Sequence, residues 1–139
     1  MKTGVSVNEV IGVVLICSVI TATLGLFPSI AYGLAPPSPP TPTAPGSSSE
    51  PGQTINTLTP TLQWSGASGA DYYALAISKY PYGSGNIIYN PQQVYGTSHV
   101  VPSGTLVASE RYRWNMQAHN SAGWSSVSNT LYFQTPPPT

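Results

Sequence analysis

Carboxylates and histidines, the side chains that most often carry acid/base or metal chemistry, are few in this sequence. The four carboxylates are Glu9, Glu50, Asp71 and Glu110, and no two of them are spaced as a glycosidase pair would require. His99 and His119 fall on different predicted strands without an acidic or thiol neighbour, so we interpret them as solvent-facing sheet residues and not as metal ligands. The sequence therefore predicts no enzyme, no cofactor and no metal site.

Exposed aromatic side chains are the remaining candidates for function. Three places carry more aromatic surface than a turn requires: Tyr80 with Tyr82, Tyr89 with Tyr95, and Trp124. Each is either a binding anchor or a local packing contact, and both interpretations stay open. The predicted topology puts Trp124 and the Tyr80/Tyr82 pair at opposite ends of the domain, so they are not expected to form one pocket.

The charge and cysteine content of the sequence exclude a nucleic-acid-binding surface and an intrachain disulfide. Charged residues make up 6% of the 139-residue chain and its formal net charge is zero. Arg111 and Arg113 are the only close basic pair, which is too little positive charge for a nucleic-acid surface. The single cysteine, Cys17, excludes an intrachain disulfide.

An uncharged apolar run from Val10 to Phe27 is long enough to cross a bilayer as a helix. We expect residues 1–9 to be a short cytoplasmic leader and residues 10–34 to be a transmembrane or signal-anchor helix. Lys2 precedes the run and the next basic residue is Lys79, which favours an inside N-terminus and an extracellular C-terminal domain. Cleavage near Ala31 would instead release a secreted domain, so retention and removal both remain open.

The leader also resembles the start of a type IV pilin or pseudopilin precursor. Gly4 is followed by Val5 and, four residues later, by Glu9 ahead of the long apolar run. The resemblance implies processing after Gly4 and a role for Glu9 in filament assembly, and hence a homo-oligomer. Val5 stands where that family usually has phenylalanine, and a proline-rich stretch replaces its continuing helix.

Proline, serine and threonine dominate residues 35–53, and prolines recur in residues 136–139. Such a composition has little apolar surface to offset the entropy of ordering, and proline favours extended polyproline II. We therefore expect a disordered linker over 35–53, reaching up to ~50 Å at about 3.1 Å per residue, and a proline-rich tail over 136–139.

Residues 54–135 alternate short aromatic and β-branched segments with turn residues, which is typical of an antiparallel β-sandwich. The clearest strand is RYRWNMQAH, in which apolar and polar residues alternate with a period of two. The sequence predicts an all-β, seven-stranded, immunoglobulin-like domain, with strands at Thr54–Leu58, Thr61–Trp64, Tyr72–Lys79, Asn86–Tyr89, His99–Val101, Arg111–His119 and Val127–Gln134.

The segment GTLVASERYRWNMQAHNSAGWSSVS resembles the second half of a fibronectin type III domain, and TPTLQWSGASGADYY resembles its strands B and C. The resemblance covers roughly residues 51–135. It implies a fibronectin type III sandwich with these signature positions: Trp64 as the core tryptophan, Leu106, Tyr112 as the tyrosine-corner residue, Ala118, Asn120 and Gly123.

These features predict a non-enzymatic surface protein, anchored in the cell membrane or exported, whose sandwich binds an extracellular protein or polysaccharide. The candidate binding residues are Trp124, Tyr80, Tyr82 and Tyr95. A pilin-like filament subunit and a non-catalytic spacer of a cell-surface assembly are the alternatives.

Overall fold

Within the part of the chain that the structure describes, nine β-strands and one 3-10 turn follow one another. The computed structural model describes residues 35–139, and Pro36–Thr139 form one compact unit. The strands are β1 (Thr41–Ala44), β2 (Gln53–Thr54), β3 (Thr61–Ser65), β4 (Tyr72–Lys79), β5 (Ile87–Tyr89), β6 (Ser98–Val100), β7 (Arg111–Asn120), β8 (Gly123–Trp124) and β9 (Leu131–Gln134), with the 3-10 turn at Ser84–Asn86.

The predictions for the N-terminal region lie outside the described residues. These are the leader at 1–9 with Gly4 and Glu9, and the helix at 10–34. Within residues 35–139 the structure contains no helix of sufficient length and apolar character to span a membrane.

The strands form two sheets. The smaller has the order β1-β3-β6, and the larger has the order β2-β9-β7-β4-β5 with β8 paired to β7. All pairings are antiparallel except that of β2 with β9. The all-β sandwich predicted from the sequence is therefore confirmed, although its strands number nine and not seven. The first strand is divided between the two sheets as β1 and β2, and the last is divided into β8 and β9.

Strand β7 shows why the alternation in the sequence was informative. Its even-numbered residues from Tyr112 to Ala118 are buried and its odd-numbered residues are not. It pairs with β4 over eight consecutive positions, from Tyr72 opposite His119 to Lys79 opposite Tyr112. Because opposed residues in an antiparallel pair lie on the same face, the odd-numbered side chains of β7 share a face with Tyr72, Ala74, Ala76 and Ser78. We call this side of the larger sheet, which points away from the core between the sheets, the outer face.

The core lies between the two sheets and is built from large side chains. The largest that are fully buried are Trp114, Tyr112, Phe133, Leu62, Leu75, Ile77, Met116 and Val101. Each contributes about 1.5–3 kcal/mol when removed from water. The core thus holds both sheets together without a disulfide.

The signature positions lie at structurally distinct places. Trp64 and Leu106 are each 3% exposed and Ala118 is buried in β7. The Tyr112 hydroxyl accepts a hydrogen bond from the Val107 amide at 2.9 Å, which ties the preceding loop to the strand. The Asn120 side-chain oxygen accepts a hydrogen bond from the Ala122 amide at 2.8 Å, and Gly123 has a φ of +128° that favours glycine.

The prediction of a disordered linker over 35–53 is wrong, because this segment supplies the first strand of the sandwich. β1 pairs antiparallel with β3, and Pro37, Pro40 and Pro42 are buried. The Trp114 indole N–H donates a hydrogen bond to the Pro45 carbonyl at 3.0 Å. Proline lacks an amide donor, but β1 lies at a sheet edge, where one side needs none. The domain therefore begins ahead of residue 54, and only residues 35–40 precede β1 in the described part.

The C-terminal strand also differs from its prediction. Strand β9 begins at Leu131 and not at Val127, because buried serine hydroxyls replace part of the backbone pairing. The hydroxyls of Ser125 and Ser128 accept hydrogen bonds from the Ala118 and Met116 amides at 2.9 and 3.0 Å. In the tail predicted for 136–139, the Pro136 carbonyl accepts a hydrogen bond from the Ser109 amide at 3.0 Å.

Candidate binding surface

An aromatic cluster lies at one end of the outer face and consists of Tyr72, Tyr95, His119 and Trp124. The His119 ring stacks on Tyr72 with centroids 4.6 Å apart, and Trp124 packs edge-on against both, at 4.7 Å from His119 and 5.8 Å from Tyr72. Tyr95 meets Tyr72 edge-on at 6.0 Å. Trp124 remains 38% exposed and Tyr95 62% exposed. We call this group the Trp124 cluster; it presents two accessible rings held by two partly buried ones.

Strand register explains how the Trp124 cluster forms. Tyr72 lies directly opposite His119 in the β4–β7 pair, and β8 places Trp124 opposite His119 on the other side. Tyr95 follows Val94, which bridges to Tyr73. The sequence predicted Trp124 and Tyr95 as separate candidates, and it missed Tyr72 and His119 because only the strand pairing brings them together.

The second aromatic group lies near the other end of β4 and combines tyrosines with arginines. Tyr80 and Tyr82 meet edge-on at 5.4 Å, and Tyr82 contacts Tyr132 at 5.7 Å. The guanidinium groups of Arg111 and Arg113 lie 4.5 and 4.8 Å from the ring centroids of Tyr80 and Tyr82. Such cation–π contacts are worth about 0.5–1 kcal/mol at exposed sites.

Tyr82 serves this group as a packing residue. It is 9% exposed, whereas Tyr80 is 46% exposed. Burial, together with the nearby Glu50 carboxylate, raises the pKa of the Tyr82 hydroxyl. Of the two tyrosines predicted as anchors here, only Tyr80 presents a large accessible surface.

Tyr89 and Tyr95, which the sequence placed together, are separated in the structure. Tyr95 belongs to the Trp124 cluster, whereas the Tyr89 hydroxyl hydrogen-bonds to His99 Nε2 at 2.7 Å and the two rings stack at 5.8 Å. Tyr89 lies on β5 and His99 on β6, so the bond joins the edges of the two sheets. His99 is therefore partly buried and paired, and it is not the solvent-facing residue that the sequence suggested.

This bond makes a prediction for acid stability. Burial lowers the pKa of His99 from its ordinary value of 6.5, so the unfolded chain binds the proton more readily than the folded one. The stability that neutral His99 contributes to the fold is fully present above pH 6.5. It is lost as the pH falls through the pKa that His99 has in the folded protein. Urea unfolding between about pH 8 and about pH 5 should show stability decreasing with acid.

A His99→Gln variant is the control for that measurement. It removes the titrating ring and keeps a side chain that can hydrogen-bond to Tyr89. The difference in unfolding free energy between the native chain and this variant should therefore depend on pH. A difference that stays constant over the whole range would show that His99 does not contribute to the acid sensitivity.

A groove of about 360 Å³ lies on the outer face. Its Ala74/Gln117 row is the next row along this face from the Tyr72/His119 pair of the Trp124 cluster. Its floor contains the small residues Ala74 and Ala76, which lie opposite Gln117 and Asn115. Uncharged residues form the entire lining, which comprises Ala74, Leu75, Ala76, Ile87, Asn90, Gln92, Asn115, Met116, Gln117 and Val127. A second cavity, of about 410 Å³, lies where β1, β2 and β3 meet and is bordered by Ala44, Thr54, Ile55, Thr61 and Gln63 among others.

The described carboxylates lie apart from both cavities. Glu110 pairs with Lys79 at 3.1 Å, and Glu50 lies 4.0 Å from Arg111. Among residues 35–139, no three side chains of His, Cys, Asp or Glu come together as metal ligands would. The described surface thus offers aromatic and amide groups for contact with a ligand.

Solved structures provide the comparison for this fold. FN3tt, in a crystal structure, is 20% identical, with a TM-score of 0.51 and coverage of 75% of this chain and 99% of that one. A myokine structure is 17% identical, with a TM-score of 0.51, and covers 72% of this chain and 98% of that chain. An Fn3-like protein from Clostridium thermocellum is 17% identical, with a TM-score of 0.48, and covers 76% of this chain and 96% of that one.

The sequence itself matches no family model and no curated protein. At these identities the structural likeness bears on the fold alone. It agrees with the two-sheet topology and with the hydrogen-bonded tyrosine corner at Tyr112. The described part of this chain has a fibronectin type III-like fold.

Proposed function

We propose that this chain is a non-enzymatic surface protein whose fibronectin type III-like domain binds an extracellular ligand through its outer face. The observation that carries the proposal is the Trp124 cluster, where two accessible rings adjoin an uncharged groove. Aromatic side chains held rigid by their neighbours are the typical anchors of binding surfaces. Outside this face, Glu110 pairs with Lys79, Glu50 lies near Arg111, and His99 is bonded to Tyr89.

Membrane attachment is the second part of the proposal and rests on the sequence. The uncharged run from Val10 to Phe27 is long enough to span a bilayer, and Lys2 ahead of it favours an inside N-terminus. The sandwich would then lie on the extracellular side. If the run is cleaved near Ala31, the same domain is secreted and keeps its binding face.

The test is the location and the mature N-terminus of the full chain in a bacterial host. We expect protease added outside intact cells to digest the C-terminal domain, and mass spectrometry to find an N-terminus at Met1 for an anchored protein or at Tyr32 for a secreted one. A double variant, Val14→Arg with Leu15→Arg, is the control, since each arginine costs about 2.5–3.5 kcal/mol at a helix centre in a membrane. Full-length product that stays in the cytosol would contradict the proposal.

A pilin-like filament subunit is the alternative that the same measurement decides. Its support is Glu9 placed five residues after Gly4, ahead of the apolar run. Processing after Gly4 would leave a mature N-terminus at Val5, methylated in that family. Finding this N-terminus would favour assembly into filaments over a simple anchor.

A further inference from the structure

We propose that the groove on the outer face, together with the Trp124 cluster, is a binding site for an uncharged polysaccharide. This proposal rests on the proposed function and specifies its ligand. The site is a continuous strip, because the strand register places the Tyr72/His119 row next to the Ala74/Gln117 row, and that row next to Ala76/Asn115. At about 3.4 Å per residue, the strip from Tyr72 to Ala76 is roughly 14 Å long.

The shape of the strip suits an extended, flat ligand. Ala74 and Ala76 keep the floor low, while Ile87 and Gln92 on one side and Val127 on the other border the groove. At its end stand the accessible rings of Trp124 and Tyr95. The faces of aromatic rings carry negative charge density and attract the weakly positive C–H groups of a sugar ring.

The hydrogen-bonding groups of the strip match hydroxyls. The side-chain amide of Gln117 donates to the Ser125 carbonyl at 2.7 Å, and that of Asn115 donates to the Thr130 hydroxyl at 3.2 Å. These contacts fix both amide groups, and within the described residues no protein donor reaches their side-chain oxygens. A sugar hydroxyl can donate to such an oxygen and accept from the remaining N–H.

Charge and backbone pairing distinguish a glycan from other ligands. The lining contains no charged side chain, which disfavours acidic polysaccharides and nucleic acids. A peptide that extends a sheet needs an unpaired strand edge. The groove lies instead across the face of β4 and β7, whose backbones are already paired with each other. A neutral glycan chain is the ligand that needs neither charge nor a free edge.

The experiment measures retention of the full chain, in detergent, on cellulose, chitin and a neutral β-glucan, with polygalacturonate as the charged comparison. We expect the chain to be retained on at least one of the neutral glycans. We expect no retention that depends on the charge of the glycan. Trp124→Ala should weaken it roughly tenfold or more, as for the loss of an aromatic anchor. Ala76→Glu should weaken it as well, by placing a carboxylate on the groove floor without removing any ring.

Val100→Ala serves as the matched surface control, because Val100 is 58% exposed on β6 of the other sheet. It should retain binding. Thermal unfolding of each variant separates loss of a contact from loss of the fold, and Ala76→Glu keeps the test valid should Trp124→Ala unfold the domain. Retention that survives both variants, or that is lost instead with Tyr80→Ala, would overturn the groove assignment.

The outcomes also separate this proposal from the broader one. A chain that is exported but retained on none of the neutral glycans refutes the polysaccharide site and leaves surface display intact. The chain could instead bind no glycan but adhere to a protein-coated surface, and lose that adherence on Trp124→Ala. This result would refute the polysaccharide as ligand and keep the outer face as the binding site. Cytosolic product, in contrast, refutes the proposed function itself.

Discussion

Replacing Gly52 by alanine is expected to lower the free energy of unfolding by about 3 kcal/mol, from overpacking and left-handed strain together. A Cβ at this position would lie 1.9 Å from the Tyr132 carbonyl oxygen, so the backbone of β9 would have to move. Gly52 also has a φ of +81°, which side chains rarely adopt. Urea unfolding of the full chain in detergent, followed by tryptophan fluorescence, measures the loss as a shift in midpoint.

Gly69→Ala is the matched control, since Gly69 has nearly the same φ of +80° but no atom within 4 Å of the added carbon. It should cost only the conformational strain, about 1–2 kcal/mol. Equal effects at the two positions would mean that Gly52 does not pack on β9. The comparison tests whether the segment before residue 54 is part of the domain, because a glycine in a disordered linker would tolerate alanine.

Replacing Trp114 by alanine is expected to cost about 3–5 kcal/mol, the range for deleting a buried aromatic side chain. Its ring is fully buried at the centre of β7. Its indole N–H also binds the Pro45 carbonyl at 3.0 Å, so the variant leaves that oxygen without its partner. Trp114→Phe should cost less, because most of the ring stays in place.

Trp124→Ala is the control for that series, since it deletes the same side chain from the surface. Trp124 is 38% exposed, and its loss should cost about 1 kcal/mol in stability. Unfolding midpoints should therefore rank Trp114→Ala below Trp114→Phe, and both below Trp124→Ala. Any other order would mean that the core is not centred on β7.

The sequence was most informative where the alternation of apolar and polar residues was regular. Strand β4 has the predicted bounds, Tyr72–Lys79, and β7 extends one residue beyond its prediction, to Asn120. Both strands lie between two neighbours in the larger sheet and turn every second side chain toward the core, and in β7 burial follows the same period of two. Their bounds were the part of the fold that composition and spacing could specify.

The first strand could not be predicted in the same way. Residues 41–44 are Thr, Pro, Thr and Ala, a composition that by itself indicates an extended linker. What orders them is tertiary: Pro42 lies opposite Trp64, and Pro45 accepts the hydrogen bond from Trp114. Neither partner is visible from local sequence.

The candidate site was only partly predictable for a similar reason. Trp124 and Tyr95 were noticed because exposed aromatic residues in turns are unusual. Ala74 and Ala76 were not, because small residues in a strand carry no signal of a groove until the neighbouring strands are known. Tyr72 and His119 were assigned to the sheet, and only the register shows that they support Trp124.

The path of the chain before residue 56 has a mechanical consequence. Strand β1 is hydrogen-bonded to β3 in the smaller sheet, whereas the following residues are fastened to the larger one: Ser47 exchanges two hydrogen bonds with Tyr132, and the Ile55 amide binds the Gln134 carbonyl. A force applied at the amino end therefore acts first on the hydrogen bonds between β1 and the smaller sheet. It then acts on the hydrogen bonds that join residues 47–55 to the larger sheet. Separation of β1 from β3 would release a short length of chain, while the bonds of Ser47 and Ile55 still hold the chain to the larger sheet. We therefore expect the amino end to detach under force in two steps.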